Sequence, residues 1–163
     1  LPQNLVTAGG RLYFIARAMT NNATLYVTDG TALGTLALKD FGDGLITTSN
    51  FTPIGQRLYF SASTSSGHYL WTTTGSTVST RSIQHSSGGI SDFGTVGSKL
   101  LFRMRSPASP EYSDYELWQS GGTTSSTRLL KNINQSTQRF IGISGYVPLG
   151  NFTYFAANNG VHG

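Results

Sequence analysis

Gly9-Gly10-Arg11-Leu12-Tyr13-Phe14 is the stretch from which the fold of this chain is read, because its pattern returns along the sequence. The aromatic run recurs as Leu58-Tyr59-Phe60, Leu100-Leu101-Phe102 and Thr153-Tyr154-Phe155. Gly9, Gly55, Gly97 and Gly150 each stand three residues ahead of a run, at spacings of 46, 42 and 53. A second anchor follows the first three runs: Leu25-Tyr26, Leu70-Trp71 and Leu117-Trp118. The third is a turn, Asp29-Gly30-Thr31, Thr74-Gly75-Ser76 and Gly121-Gly122-Thr123, with Thr35, Thr80 and Thr127 four residues beyond. Anchors that keep one order mark an internal repeat. Its unit is about 46 residues, and the copies fall at approximately 4–49, 50–94, 95–142 and, in part, 143–163.

Each unit reads as short strands. Tyr, Phe, Trp, Val, Ile and Thr dominate the anchors, Gly, Asn, Asp and Pro bound them, and no window carries a helical period. Strands are expected near 11–16, 24–28, 35–40 and 46–54, with the same order afterwards. Asp29-Gly30 signals a tight turn between the second and third strands, since both residues tolerate positive φ. Successive strand side chains point to opposite faces, so Leu58-Tyr59-Phe60 places apolar groups on both sides of its sheet. Sheets stacked face to face supply that environment. The chain is therefore expected to be all-β, a partial β-propeller of four-stranded antiparallel repeats, with a β-sandwich as the alternative. A parallel β-helix has too short a repeat. Some three and a half units fall short of the 4 to 8 blades of a ring. The rest of a parent chain, or further copies, is expected to complete it, and the start at Leu1 without a leader pattern points to an excerpt or processed product.

The run Leu25-Tyr26-Val27-Thr28-Asp29-Gly30-Thr31-Ala32-Leu33-Gly34-Thr35, with Lys39-Asp40 after it, resembles a repeat of large bacterial surface and secreted proteins. That repeat reads ELWxSDGTxxGTxxxKDI and leads into a G-x-x-LYF-x-A strand. Glu116-Leu117-Trp118 with Gly122-Thr123 is similar to it, as are Gly9 to Phe14 with Ala16 and Gly55 to Phe60 with Ala62. The later copies depart from the first: Asp29 gives way to Thr74 and Gly121, and Gly34 to Ser79 and Ser126. The resemblance implies a β-propeller-like arrangement and no assigned chemistry.

Composition removes several function classes. Only 11% of the 163 residues are charged, against about 25% in an average domain. Polarity comes instead from 20 Ser and 21 Thr. The net charge of +4 is scattered from Arg11 to Arg139 and forms no basic stripe, which argues against nucleic acid as a partner. No stretch approaches the roughly 20 apolar residues of a membrane helix. Without cysteine there is no disulfide framework or thiolate site. His68 and His85 stand 17 residues apart in the second copy and His162 in the last, and no HExxH or GxSxG motif exists, so no catalytic residues, metal site or cofactor are expected. Asp40-Phe41-Gly42 and Asp92-Phe93-Gly94 spell a kinase tripeptide, yet no phosphate loop accompanies them. Asp40 to Gly44 also lacks the alternating acids of a calcium loop.

Binding candidates remain. Tyr26, Trp71 and Trp118 share one repeated position, where rings either stack on sugars or fill the core between sheets. The third unit carries an insertion, Ser106 to Tyr115, whose Tyr112 is a further candidate contact. Glycan acceptor motifs occur at Asn22, Asn50, Asn134 and Asn151. The function expected from the sequence is a non-enzymatic structural or adhesive module, extracellular or at the cell surface, within a larger or filament-forming protein. The alternative is a carbohydrate-binding, lectin-like propeller with glycans as partners.

Overall fold

A computed structural model describes residues 2–17, 22–105, 115–133 and 143–158. Three four-stranded sheets and one two-stranded sheet are formed among them, each a meander of antiparallel neighbours. The first contains β1 (Gln3–Ala8), β2 (Arg11–Arg17), β3 (Ala23–Thr28) and β4 (Leu36–Asp40). The second contains β5 (Leu45–Ile54), β6 (Arg57–Thr64), β7 (Gly67–Thr73) and β8 (Arg81–Ser86). The third contains β9 (Ile90–Val96), β10 (Lys99–Arg105), β11 (Tyr115–Ser120) and β12 (Arg128–Lys131), and the last β13 (Ile143–Leu149) and β14 (Phe152–Ala157). The chain is all-β, as expected, and its sheets are antiparallel. The strand foreseen over 46–54 opens the second sheet: Ile54 pairs with Arg57 across the Gly55-Gln56 turn.

One local device recurs in the opening strand of every sheet. Asn4, Asn50, Asp92 and Gly145 have φ of 56°, 57°, 52° and 68°. Each lies five residues before the turn glycine, and the strand pairing shifts register there. Such bulges need a residue that tolerates the left-handed region, which Asn, Asp and Gly do best.

The sheets stack face to face. Tyr13, Ile15, Leu25 and Val27 of the first sheet meet Leu58, Phe60 and Ala62 of the second in one core. The opposite face of the second sheet, with Tyr59, Leu70 and Ile83, meets Leu100, Phe102 and Met104 of the third. Leu101 and Leu117 of the third then meet Ile143 and Phe155 of the last. The opening strands lie in sequence, β1 against β5, β5 against β9 and β9 against β13. Phe60 and Phe102 are 0% exposed, because each faces a preceding sheet. Phe14, at the same repeated position, is only half-buried. At the other end Val147, Leu149, Phe152 and Tyr154 form an exposed apolar face, Phe152 at 70% and Tyr154 at 58%. Among the described residues the array is open.

Candidate functional site

The three aromatic residues of one repeated position meet three different environments. Tyr26 lies on the outer face of the first sheet, stacked on Phe14 at 5.4 Å and 11°. Trp118 packs against the core between the second and third sheets. Its buried indole Nε1 has no hydrogen-bond partner among the described residues. Trp71 borders a groove of about 350 Å³ between the outer parts of the first two sheets. The structure therefore does not bring these rings together. Tyr112 lies outside the described residues.

The Trp71 groove is built from β4, the 3-10 turn Gly42–Gly44, the β6–β7 turn and β8. Asp40 Oδ1 accepts from Gly42 N at 2.8 Å, and Phe41 N donates to Ala23 O at 2.9 Å, which directs the chain across the end of the first sheet. Phe41 then sets its edge on Trp71 at 5.2 Å, and Trp71 lies parallel to Phe60 at 6.2 Å. Lys39 Nζ stands 5.8 Å from the Trp71 ring centre, within cation–π range. Thr64, Ser66, Tyr69 and Ser82 supply hydroxyls on the remaining sides. An aromatic wall beside an ammonium and several hydroxyls is suited to holding a polar ligand with one apolar face.

Another contact escaped sequence reasoning. Ser63 and His68 are cross-strand partners in the β6–β7 hairpin, and Ser63 Oγ lies 2.7 Å from His68 Nδ1. The pairing was legible only from the register of that hairpin. No carboxylate completes a triad on His68 among the described residues. Nor do three metal-ligating side chains gather among them. Asp92 and Arg103 form an ion pair at 2.5 Å, and Arg103 also lies 4.8 Å over the Tyr115 ring.

The repeated turns form a third constellation, and they are scaffolding. Thr28 and Thr35 join hydroxyls at 2.7 Å, Thr73 and Thr80 at 2.7 Å, and Ser120 and Thr127 at 2.8 Å. Thr35, Thr80 and Thr127 also donate to the carbonyls of Thr31, Ser76 and Thr123, each at 2.7 Å. In the first turn Asp29 Oδ1 accepts from Thr31 N at 2.9 Å and Thr31 Oγ1 at 2.8 Å. These bonds hold its carboxyl below the usual carboxylate range. In the other two turns Ser79 Oγ and Ser126 Oγ take over, accepting from Ser76 N at 3.2 Å and Thr123 N at 3.1 Å. A Cβ on Gly34 would fall 1.9 Å from Asp29 Oδ1. The departures from the repeat motif are thus one coupled exchange: acid with glycine, or no acid with serine.

The glycan acceptor positions differ in access. Asn151 is exposed in the β13–β14 turn, and Asn22 is half-buried before β3. Asn50 Nδ2 is engaged, donating to Ser49 Oγ at 3.1 Å and Ser61 Oγ at 3.0 Å. Asn134 lies outside the described residues. No helix among the described residues is long and apolar enough to cross a membrane.

No family model and no curated protein matches the chain. Among solved structures it is similar to a variant of the AtxE2 isopeptidase with astexin3-dC4 bound, at 14% identity and a TM-score of 0.58. The match covers 93% of this chain and 24% of that one, so the chain spans about a quarter of the isopeptidase's length. At this identity the likeness is one of fold. It corrects the expectation of a chain without enzymatic function, because an arrangement like this one occurs within an enzyme. Local motif absence was the basis of that expectation, and catalytic groups that converge in space leave no local motif.

Proposed function

We propose that the chain is a section of a larger β-propeller, acting as a structural or adhesive module at the cell surface or outside the cell. The observation that supports this reading is the face-to-face succession of sheets, in which the second and third are each packed on both faces. Such a section needs neighbours, supplied by the rest of a parent chain or by further copies. Neither nucleic acid nor a membrane span enters this reading. Production of the chain with its flanking sequence, followed by electron microscopy, tests the architecture: a closed ring is expected, and two packed sheets without an axis would overturn it. Antibody labelling of unpermeabilised source cells tests the location, and signal only after permeabilisation would refute it. The similarity to an isopeptidase favours a larger protein in which such an array accompanies a catalytic part.

A second reading, carbohydrate binding, is favoured by the groove at Trp71 with Lys39 and Tyr69. Tyr26 and Trp118 have no part in that groove's described lining. On a glycan array the chain is expected to retain a ligand that Trp71→Ala loses while the circular dichroism spectrum stays unchanged. Equal retention by both proteins would remove the groove from consideration.

A further inference from the structure

Arg11 and Arg57 occupy one repeated position, the residue before the aromatic run, and both reach out of their own sheet. Arg11 Nη1 donates to Gly75 O at 3.2 Å, in the turn of the next sheet. Arg57 Nη1 donates to Gly122 O at 3.5 Å, in the turn of the sheet after that, and to Thr72 Oγ1 at 3.2 Å. The approach is close: a Cβ on Gly75 would fall 2.7 Å from Arg11 Nη1, and one on Gly122 2.7 Å from Arg57 Nε. Gly75 and Gly122 have φ of 93° and 97°, and Gly30 has 96°, so the three turns present the same backbone. Around Gly30, however, none of the described residues comes within 4 Å of the corresponding point. Its neighbour in sequence, Asp29, is an acid where the other two turns have Thr74 and Gly121.

We propose that the Gly30 turn is a vacant docking position for a guanidinium or ammonium carried by a preceding sheet of this same repeat. That sheet would cover Phe14 and Tyr26 as the first sheet covers Phe60 and Trp71. The occupant is a four-stranded sheet with Arg or Lys at the position of Arg11, and the proposal rests on the reading of the chain as part of a longer array. Charge complementarity supports the choice. The open turn carries Asp29, and each internal contact of this kind is made by a cation.

The test uses the full chain with a second copy of residues 45–89 joined ahead of residue 2, so that a second Arg57 can reach Gly30. Protection of β2 and β3 amides from hydrogen exchange reports whether the added sheet docks. If it docks, Arg57→Ala in the added copy is expected to lower the apparent Tm by about 2–4 °C, with most of the loss restored by Arg57→Lys. Docking with an unchanged Tm would overturn the cationic contact and leave the array reading standing. Failure to protect β2 and β3 would overturn the array reading itself.

Discussion

Asp29 and Gly34 are a pair, and either is intelligible only through the other. The carboxylate occupies the space that a side chain at position 34 would need. Gly34→Ser is expected to destabilise the protein by about 1–3 kcal/mol, the usual scale of overpacking. Combining Asp29→Thr with Gly34→Ser copies the second turn, where Ser79 accepts from Thr74 N at 3.1 Å, and is expected to restore most of the loss. Thermal unfolding of the two single variants and the double variant measures the coupling, and simple additivity would refute it. The same carboxyl responds to pH. Its folded-state pKa is depressed by the Thr31 bonds, so its contribution is present above the unfolded pKa of about 4 and is lost as pH falls through the folded value. The acid-side difference in Tm between wild type and Asp29→Asn should therefore shrink on acidification.

At the scale of the sheet, one sequence position has different energies in different copies. Phe60 is enclosed by Phe41, Phe51 and Trp71, with ring separations of 6.3, 5.1 and 6.2 Å. Phe60→Ala is expected to cost about 3–5 kcal/mol. Phe14→Ala removes a half-buried ring on the outer face, and about 1 kcal/mol is expected. Denaturant unfolding distinguishes the two, and equal losses would mean that the first sheet is covered in solution. The bulges belong to this scale as well. Asn50→Val forces a β-branched residue into φ of 57° and removes the amide's bonds to Ser49 and Ser61, so it should destabilise by at least about 1–3 kcal/mol. Asn50→Gly is expected to recover the backbone part of that loss.

Across the whole molecule, the interfaces between sheets carry phenols. Tyr13 and Tyr59 are pushed up from the ordinary value of 10.0 by burial, and Tyr146 more strongly, by burial and by the Asp92 carboxylate. The unfolded chain ionises first as pH rises past about 10, so stability is full below that value and is lost through the alkaline range. Phenolate absorbance is expected to show a subset of tyrosines that titrate late, together with unfolding. Early titration of all eight would contradict the stacked arrangement.

Much of this architecture is written locally. Turn glycines, aromatic runs and the hydroxyl positions Thr35, Thr80 and Thr127 mark strands and hairpins, because turn geometry and side-chain alternation depend on neighbours in sequence. The bulge series Asn4, Asn50, Asp92 and Gly145 was also within reach, at a constant distance from the turn glycines, but three residue types conceal it. The candidate site was legible only in part. Trp71 was singled out, and Tyr69 stands two residues before it on β7, yet Lys39 and Phe41 come to it from the end of the first sheet. Sequence alone determined that the chain is built of short strands in a repeated order and that the Leu58-Tyr59-Phe60 run carries apolar groups on both faces of its sheet, while β1 went unforeseen. Only the tertiary structure decided which copy of a repeated position is core, groove wall or open face, because burial depends on whether another sheet lies opposite.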